Sequence, residues 1–155
     1  MIAKDIDLGK VLFIRKRLTI PEIGRESMEC CGRIHALAEQ QGLDIVGPWN
    51  FISYDLPKDI DTEFFIEYCL PVSGDCDVIA DDLVQAKTLS TFNCMSHTYE
   101  GALTGLFEEG YQPLLQHITA KGYAFTGESR EVYHTWSAPE SMENVVEIQF
   151  GVSLS

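Results

Sequence analysis

The sequence predicts an α+β domain in which two helices cover one face of a twisted, mainly antiparallel sheet. Three observations predict this class. Runs of β-branched and aliphatic residues alternate with two segments of helical periodicity. The order strand, helix, strand, strand occurs twice along the chain. The two copies are also related by a constant shift of 80 positions, which indicates an internal repeat.

The repeat is clearest in two strand-like stretches, residues 62–72 and 141–152. Each is apolar with a carboxylate at its centre, Glu67 in the first and Glu147 in the second. Other pairs keep the same shift: Gly42 and Gly122, Gly47 and Gly127, Glu63 and Glu143, and Val72 and Val152. A duplicated unit of this size cannot easily bury its sheet alone, so we expect the two copies to join.

The first copy begins with a predicted strand over residues 11–19, which Pro21 ends. A helix follows, because Ile23, Ser27, Cys31, Ile34 and Ala38 recur at helical spacing before Gly42. Gly47-Pro48 is typical of a turn. Residues 49–55 and 62–72 are the next two predicted strands.

The second copy repeats this order. Residues 87–96 predict a strand, and a helical face follows that is interrupted by Gly110 and Pro113 and closed by Gly122. The apolar residues of that face are Tyr99, Leu103, Leu106, Leu114 and Ile118. Residues 130–136 and 143–152 are the last two predicted strands.

These elements define one predicted domain over residues 1–155, with repeat one at about 10–72 and repeat two at about 87–153. The connection, residues 73–86, carries Asp75, Asp77, Asp81 and Asp82, and we expect its first ten residues to form an exposed acidic loop. A chain of 155 residues can bury an adequate core without disulfides or metals.

Composition excludes several functional classes. The net charge of −13 opposes the counterion release on which nucleic-acid binding depends, so no direct nucleic-acid partner is expected. The N-terminus lacks the unbroken apolar core of a signal peptide, and we expect a soluble, cytoplasmic protein with no membrane partner. The five cysteines and four histidines show no ligand spacing, which favours buried thiols and neither a metal site nor a cofactor.

The two central carboxylates are the candidate site. In a strand, Val145, Glu147 and Gln149 point away from the core residues Val146 and Ile148, and Glu67 is placed in the same way in repeat one. A carboxylate in an apolar concavity is costly unless a cation compensates it. Aromatic side chains lie on the neighbouring strands and turns: Trp49, Phe51, Tyr54, Tyr133 and Trp136. The alternative is an ordinary solvated sheet face with aromatic residues in the core.

A family resemblance bears on this choice. Lys121-Gly122-Tyr123 with Gly127, the run Arg130-Glu131-Val132-Tyr133, and the stretch around Glu147 resemble the GyrI-like (gyrase-inhibitor-like) family, which includes AraC-type effector-binding domains. The resemblance covers nearly the whole chain. It implies two strand-helix-strand-strand modules with a hydrophobic groove between them, and we expect this ligand groove on the sheet face away from the helices. One departure is Gly151, where the family usually has a proline.

The resemblance implies that Glu147 is the anionic anchor and Tyr133 an aromatic wall, with Trp49 and Phe51 in the pocket. The repeat adds Glu67, and its place beside the central strands adds Trp136, as further predicted ligand-binding residues. The preferred function is that of a stand-alone binder of hydrophobic, cationic small molecules, because no DNA-binding segment precedes the domain. One alternative is a hydrolase that opens strained rings of drug-like compounds, in which Glu147 activates water and Tyr133 donates a proton. A second alternative is an acidic interaction protein that acts on gyrase.

Overall fold

The computed structural model describes residues 1–73 and 83–154. The chain forms two compact units by its internal contacts. We call residues 7–90 the repeat-one unit, and residues 1–6 together with 91–155 the repeat-two unit. The predicted acidic loop lies outside the described residues, apart from Ser73, which is the last residue of a strand.

The repeat-one unit is an antiparallel sheet with one helix. Its elements are β2 (Gly9–Leu18), α1 (Ile23–Gln40) preceded by a 3-10 turn (Ile20–Glu22), β3 (Asp44–Ile45), β4 (Asn50–Tyr54), β5 (Phe64–Ser73) and β6 (Gln85–Leu89). The strand order is β4-β5-β2-β6, and the short β3 pairs with the end of β5. Every one of these pairings is antiparallel.

The repeat-two unit has the same plan. It contains β1 (Ile2–Ile6), β7 (Phe92–Glu100), α2 (Gln112–Ala120), β8 (Tyr123–Thr135) and β9 (Val145–Leu154), in the antiparallel order β1-β7-β9-β8. A 3-10 turn (Leu103–Gly105) and a π-helix (Leu106–Tyr111) lead into α2. Pro113 lies in the first turn of α2, where a missing backbone N–H costs little.

Each helix packs on one face of its own sheet, as the periodicity predicts. In the repeat-one unit, Ile34 and Ala38 of α1 contact Ile66, Tyr68 and Leu70 of β5 in one buried cluster. In the repeat-two unit, a second buried cluster joins the helical segment to β7 and β9; its members are Met95, Tyr99, Leu106, Leu114, Ile118, Val146 and Ile148. The predicted α+β class, with antiparallel strands and two helices, is confirmed.

Both helices end as the two predicted glycines indicate. Gly42 and Gly122 adopt φ values of +65° and +77°, the left-handed conformation that closes a helix. Their backbone N–H groups donate to the carbonyls of Glu39 and Thr119. The shared geometry follows from the shared spacing in the two repeats.

Two strands, β1 and β6, were not predicted as separate strands from the sequence, and each directly precedes the first long strand of a repeat, β2 or β7. We call β1 and β6 the leading strands. The single strand predicted over residues 87–96 is divided into β6 and β7, and residues 2–6 form a strand of their own. β1 precedes β2 in the chain but pairs with β7, whereas β6 precedes β7 but pairs with β2. Each unit therefore contains the leading strand of the other repeat.

Candidate functional site

Glu147 is the third residue of β9 and lies on the sheet face away from α2, where only 6% of its surface is exposed. Its Oε2 accepts hydrogen bonds from Lys4 Nζ at 2.9 Å, Ser96 Oγ at 2.7 Å and Gln149 Nε2 at 2.8 Å. His134 Nε2 lies 2.8 Å from Oε1. The carboxylate thus has four partners, and two of them are cationic or can become so.

These partners decide the charge state of Glu147. Burial raises the pKa of a carboxyl group, but the hydrogen bonds from Gln149, Ser96, His134 and Lys4 outweigh burial and lower the pKa of Glu147 to about 2. Glu147 is therefore an ionised carboxylate whose charge is compensated within the protein.

Glu67 has an equivalent environment in the repeat-one unit, with 2% of its surface exposed. Lys87 Nζ lies 2.7 Å from Oε1, the Tyr54 hydroxyl donates to Oε1 at 2.8 Å, and Arg15 Nη1 lies 3.3 Å from Oε2. Burial raises the pKa of Glu67, yet the hydrogen bonds from Lys87 and Tyr54 bring it below its usual value. Both predicted central acids are therefore buried ion-pair centres.

Tyr133 does not lie beside Glu147. It is opposite Val146 in the β8–β9 register and packs against the apolar cluster under α2, whereas Glu147 faces the other way. The Tyr133 hydroxyl donates to Glu131 Oε1 at 2.5 Å. The structure thus separates the predicted anionic anchor from its predicted aromatic wall, because consecutive strand residues alternate between faces.

Glu131 instead gathers two tyrosines on the helix-covered face. Its Oε2 accepts a short hydrogen bond from the Tyr111 hydroxyl at the end of the π-helix, and its Oε1 accepts the bond from Tyr133. Among the described residues, no lysine, arginine or histidine forms an ion pair with Glu131. We refer to Glu131, Tyr111 and Tyr133 as the acid–tyrosine cluster.

The surroundings of the cluster are apolar. Burial raises the pKa of Tyr111 well above its usual value, and the neighbouring charge of Glu131 raises it further. The Tyr111 ring meets Phe150 edge-on at 5.8 Å, and the Tyr133 ring meets Trp136 edge-on at 5.6 Å. Trp136 is 44% exposed, so the cluster has an aromatic border that solvent can reach.

The remaining predicted residues lie in the repeat-one unit. Trp49 and Phe51 are half-buried and pack against the cluster that includes α1, and the Phe51 ring meets Tyr68 edge-on at 4.7 Å. Of the six predicted site residues, Tyr133 and Trp136 are in contact with each other. Glu147 and Glu67 each contact other polar partners, and Trp49 and Phe51 belong to the apolar packing of α1.

Sequence reasoning missed Glu131 and Tyr111 as site residues. Alternation places Glu131 on the same face as Tyr133, which was a usable signal. Tyr111 had no such signal, because its approach to β8 depends on the π-helix. The cationic partners Lys4, Lys87 and His134 were also missed, since each contact joins residues on different strands and depends on strand pairing and register.

A surface concavity of about 610 Å³ lies at the β1 edge of the repeat-two unit. Its lining residues are Ala3, Lys4, Asp5, Asn93, Cys94, Tyr123, Val152 and Ser153. It contains none of the predicted site residues and none of the acid–tyrosine cluster. Within residues 1–73 and 83–154, no group of three or more metal-ligating side chains is found. No helix in the same ranges is long and apolar enough to cross a membrane.

Comparison with solved structures defines the class of fold. Neither a protein-family model nor a curated protein matches the sequence. The structure nevertheless superposes on several GyrI-like structures over almost its full length, and the chain has the GyrI-like fold. The fold that the sequence resemblance implies is therefore confirmed.

The C-terminal domain of EcmrR is one such structure, with a TM-score of 0.66 and 21% identity over 99% of this chain and 98% of that domain. EcmrR in a complex with DNA gives a TM-score of 0.73 and 22% identity; this chain spans 57% of that EcmrR chain. SAV2435 bound to tetraphenylphosphonium gives 0.66 and 13% identity, over 99% of this chain and 94% of that chain. A hydrolase from Listeria innocua gives 0.62 and 14% identity, over 97% and 91%.

Proposed function

We propose that this protein binds hydrophobic, positively charged small molecules, and that Glu131 is the carboxylate that receives the positive charge. The observation that carries the proposal is the acid–tyrosine cluster. Two tyrosine hydroxyls stabilise the Glu131 carboxylate, yet among the described residues no cation neutralises it. A bound cation would provide that compensation.

The expected interaction is large enough to orient a ligand. At a separation of ~4 Å and an effective dielectric constant of about 20, the attraction between a cation and Glu131 is on the order of 4 kcal/mol. The Tyr133 hydroxyl donates to the carboxylate, and the Trp136 ring meets the Tyr133 ring. A cation on an aromatic face gains roughly 0.5–2 kcal/mol more. A flat or aromatic cation suits this combination of charge and rings.

Glu147 is less suited to the same role. A ligand cation would have to displace Lys4 or His134 from it, and the half-buried lysine would then lose its own partner. Repeat one also lacks an equivalent of the cluster, because the position 80 residues before Glu131 is Phe51. The proposal therefore assigns ligand binding to the second repeat.

The fold similarity to SAV2435, which was solved with tetraphenylphosphonium, supports the choice of this cation as a probe. We would titrate tetraphenylphosphonium into the wild-type protein and into the Glu131→Gln, Glu147→Gln and Glu140→Gln variants. Glu140 is an exposed acid in the β8–β9 connection and serves as the matched control.

We expect Glu131→Gln to weaken binding at least about tenfold, which corresponds to about 1.4 kcal/mol. Glu147→Gln and Glu140→Gln should retain binding at a temperature at which all variants are folded. Equal affinity in the wild type and Glu131→Gln, together with loss in Glu147→Gln, would overturn the assignment and favour Glu147 as the anchor.

A hydrolase is the second candidate, and the acid–tyrosine cluster also favours it. Tyr133 remains the proton donor of this hypothesis, but Glu131 takes the place of Glu147 as the water-activating acid because Glu131 contacts Tyr133. The Listeria innocua hydrolase shares the fold, which is compatible with this chemistry. Incubation with a cyclopropane-bearing alkylating drug tests it: ring-opened product in molar excess over protein, abolished by Glu131→Gln, would support hydrolysis.

A further inference from the structure

Two buried polar atoms on the face opposite the acid–tyrosine cluster have no hydrogen-bond partner within the described residues. They are Nη1 of Arg130, a donor, and Oε1 of Gln149, an acceptor. Each of these residues is only 3% exposed. Buried donors and acceptors in folded proteins are almost always paired, with protein groups or with ordered water, so this pair of atoms requires an explanation.

Neither side chain is free to rotate toward another protein group. Arg130 Nε and Nη2 donate to Glu128 Oε2 at 2.9 and 2.6 Å, and the guanidinium carbon lies 3.9 Å from the centre of the Phe92 ring. Gln149 is held by the hydrogen bond from its Nε2 to Glu147. The unpaired donor and acceptor are therefore fixed in direction by their own neighbours.

The two residues are direct partners in the β8–β9 ladder, Arg130 opposite Gln149. Opposite residues in an antiparallel pair project from the same face, with Cβ atoms roughly 4.5–5.5 Å apart. The unpaired donor and the unpaired acceptor therefore lie on the same face of neighbouring strands. Because Glu128 already compensates the Arg130 charge, a molecule that binds there should be neutral.

We propose that Arg130 and Gln149 together bind one small neutral hydroxyl-bearing molecule, which accepts a hydrogen bond from Arg130 Nη1 and donates one to Gln149 Oε1. Water is the smallest molecule of this class, and a small alcohol is the other source. The site deepens the network around Glu147, because the same molecule keeps the Gln149 amide oriented toward that carboxylate. It does not depend on the proposed ligand at Glu131.

The first repeat provides an internal comparison. The positions 80 residues earlier are Asn50 and Cys69, which are also opposite each other, in β4 and β5. Oδ1 of Asn50 is buried without a partner in the described part of the chain, but the residue opposite is a thiol. This position supplies an acceptor without an equivalent charged donor. The donor–acceptor pair is thus specific to repeat two.

Nuclear magnetic resonance tests the site directly on the full chain. We expect cross-relaxation between water and the non-exchangeable protons on Arg130 Cδ and Gln149 Cγ. Its sign should be the one that is characteristic of long-lived bound water. In a second sample with added methanol, cross-relaxation from the methanol methyl group to the same protons would show that an alcohol takes the site. The absence of both signals, in a sample where other buried protons are resolved, would overturn the proposal.

A double-mutant cycle gives an independent readout, using Arg130→Met, Gln149→Met and the double variant. If one molecule bridges the two side chains, the loss in Tm of the double variant should be clearly smaller than the sum of the two single losses. A strictly additive loss would contradict a shared guest. Arg130→Met combined with Ile34→Val, in the α1 cluster, is the control pair for which we expect additivity.

Discussion

Lys4 and Glu147 form an ion pair with a separation of 2.9 Å, although they are 143 positions apart in the sequence. Lys87 and Glu67 form the equivalent pair at 2.7 Å. The equivalence follows from the strand registers: Lys4 is opposite Cys94, Lys87 is opposite Val11, and 87 − 4 and 94 − 11 both equal 83. In each unit the leading strand of the other repeat supplies the lysine that compensates the central acid.

Replacing Lys4 should therefore destabilise the protein more than replacing an ordinary surface lysine. Lys4→Met removes the lysine cation at a buried carboxylate while Ser96, Gln149 and His134 remain, so we expect a loss of roughly 1–2 kcal/mol in the free energy of unfolding. Part of the attraction is screened, because a third of the Lys4 side chain is exposed. Urea denaturation measures the loss. Lys58→Met, at an exposed position, should change stability little, and equal effects of the two changes would contradict the prediction.

The acid limb of the stability curve should depend on Glu147. Its pKa in the folded state, about 2, lies below its ordinary value of 4.5, so the stabilisation is complete above pH 4.5 and is lost as the pH falls toward 2. The difference corresponds to on the order of 3 kcal/mol. Denaturation at several pH values should show that Glu147→Gln is less stable than wild type at neutral pH and that the gap narrows in acid. Glu143→Gln, at an exposed acid, should keep the wild-type pH dependence. If the stability difference between wild type and Glu147→Gln stayed constant down to the lowest pH, Glu147 would not be the group that causes the loss of stability in acid.

Gly151 should not tolerate a side chain. A Cβ atom there would lie 2.1 Å from Thr126 Oγ1, 2.9 Å from a carbon of the Phe92 ring and 3.1 Å from the Glu128 carbonyl oxygen. The β8 segment that passes over it contains a register irregularity between Phe125 and Ser129. This close approach gives a physical reason for glycine where the resembling family has proline. We expect Gly151→Ala to lower the melting temperature and to cost about 1–3 kcal/mol.

Gly32→Ala is the matched control for that change. A Cβ atom at Gly32 in α1 meets nothing within 4 Å, and alanine is favoured over glycine in a helix by roughly 0.5–1 kcal/mol. The two glycine-to-alanine changes should therefore shift the melting temperature in opposite directions. If Gly151→Ala raised it, the close packing of β8 over Gly151 would be disproved.

Asn144 should be required for the conformation of the β8–β9 connection. The Oδ1 atom of its buried side chain accepts a hydrogen bond from the Ser137 N–H at 2.9 Å, and its Nδ2 donates to the Ala138 carbonyl at 2.7 Å. The backbone carbonyl of Asn144 accepts from the Gly101 N–H. Asn144→Ala leaves two backbone groups without these partners, and we expect a loss of about 2 kcal/mol. Faster hydrogen exchange at Ser137 would report the local opening. Ser141→Ala, which removes an exposed bond to the Glu143 N–H at 3.2 Å, should leave that exchange rate unchanged.

Much of the fold was readable from local patterns. Alternation correctly placed Val146 and Ile148 under α2 and Glu147 on the other face, because consecutive side chains of a strand point to opposite faces of the sheet. The glycines that end the helices were equally clear. The β1 strand was missed because its five residues, two of them adjacent and charged, become a strand only by pairing with β7, far away in the sequence.

Glu147 illustrates which properties of the candidate site can be predicted from the sequence and which cannot. The sequence by itself determined that this acid and Glu67 are equivalent, central and on the side away from the helices, because strand periodicity and the 80-residue repeat are local properties of the chain. Only the tertiary structure decided what each acid contacts. Lys4, Ser96 and His134 reach Glu147 from three other strands. The π-helix brings Tyr111 to Glu131. Such partners depend on strand order and register, which a duplicated pattern does not specify, because identical spacing is compatible with either assignment of the leading strands.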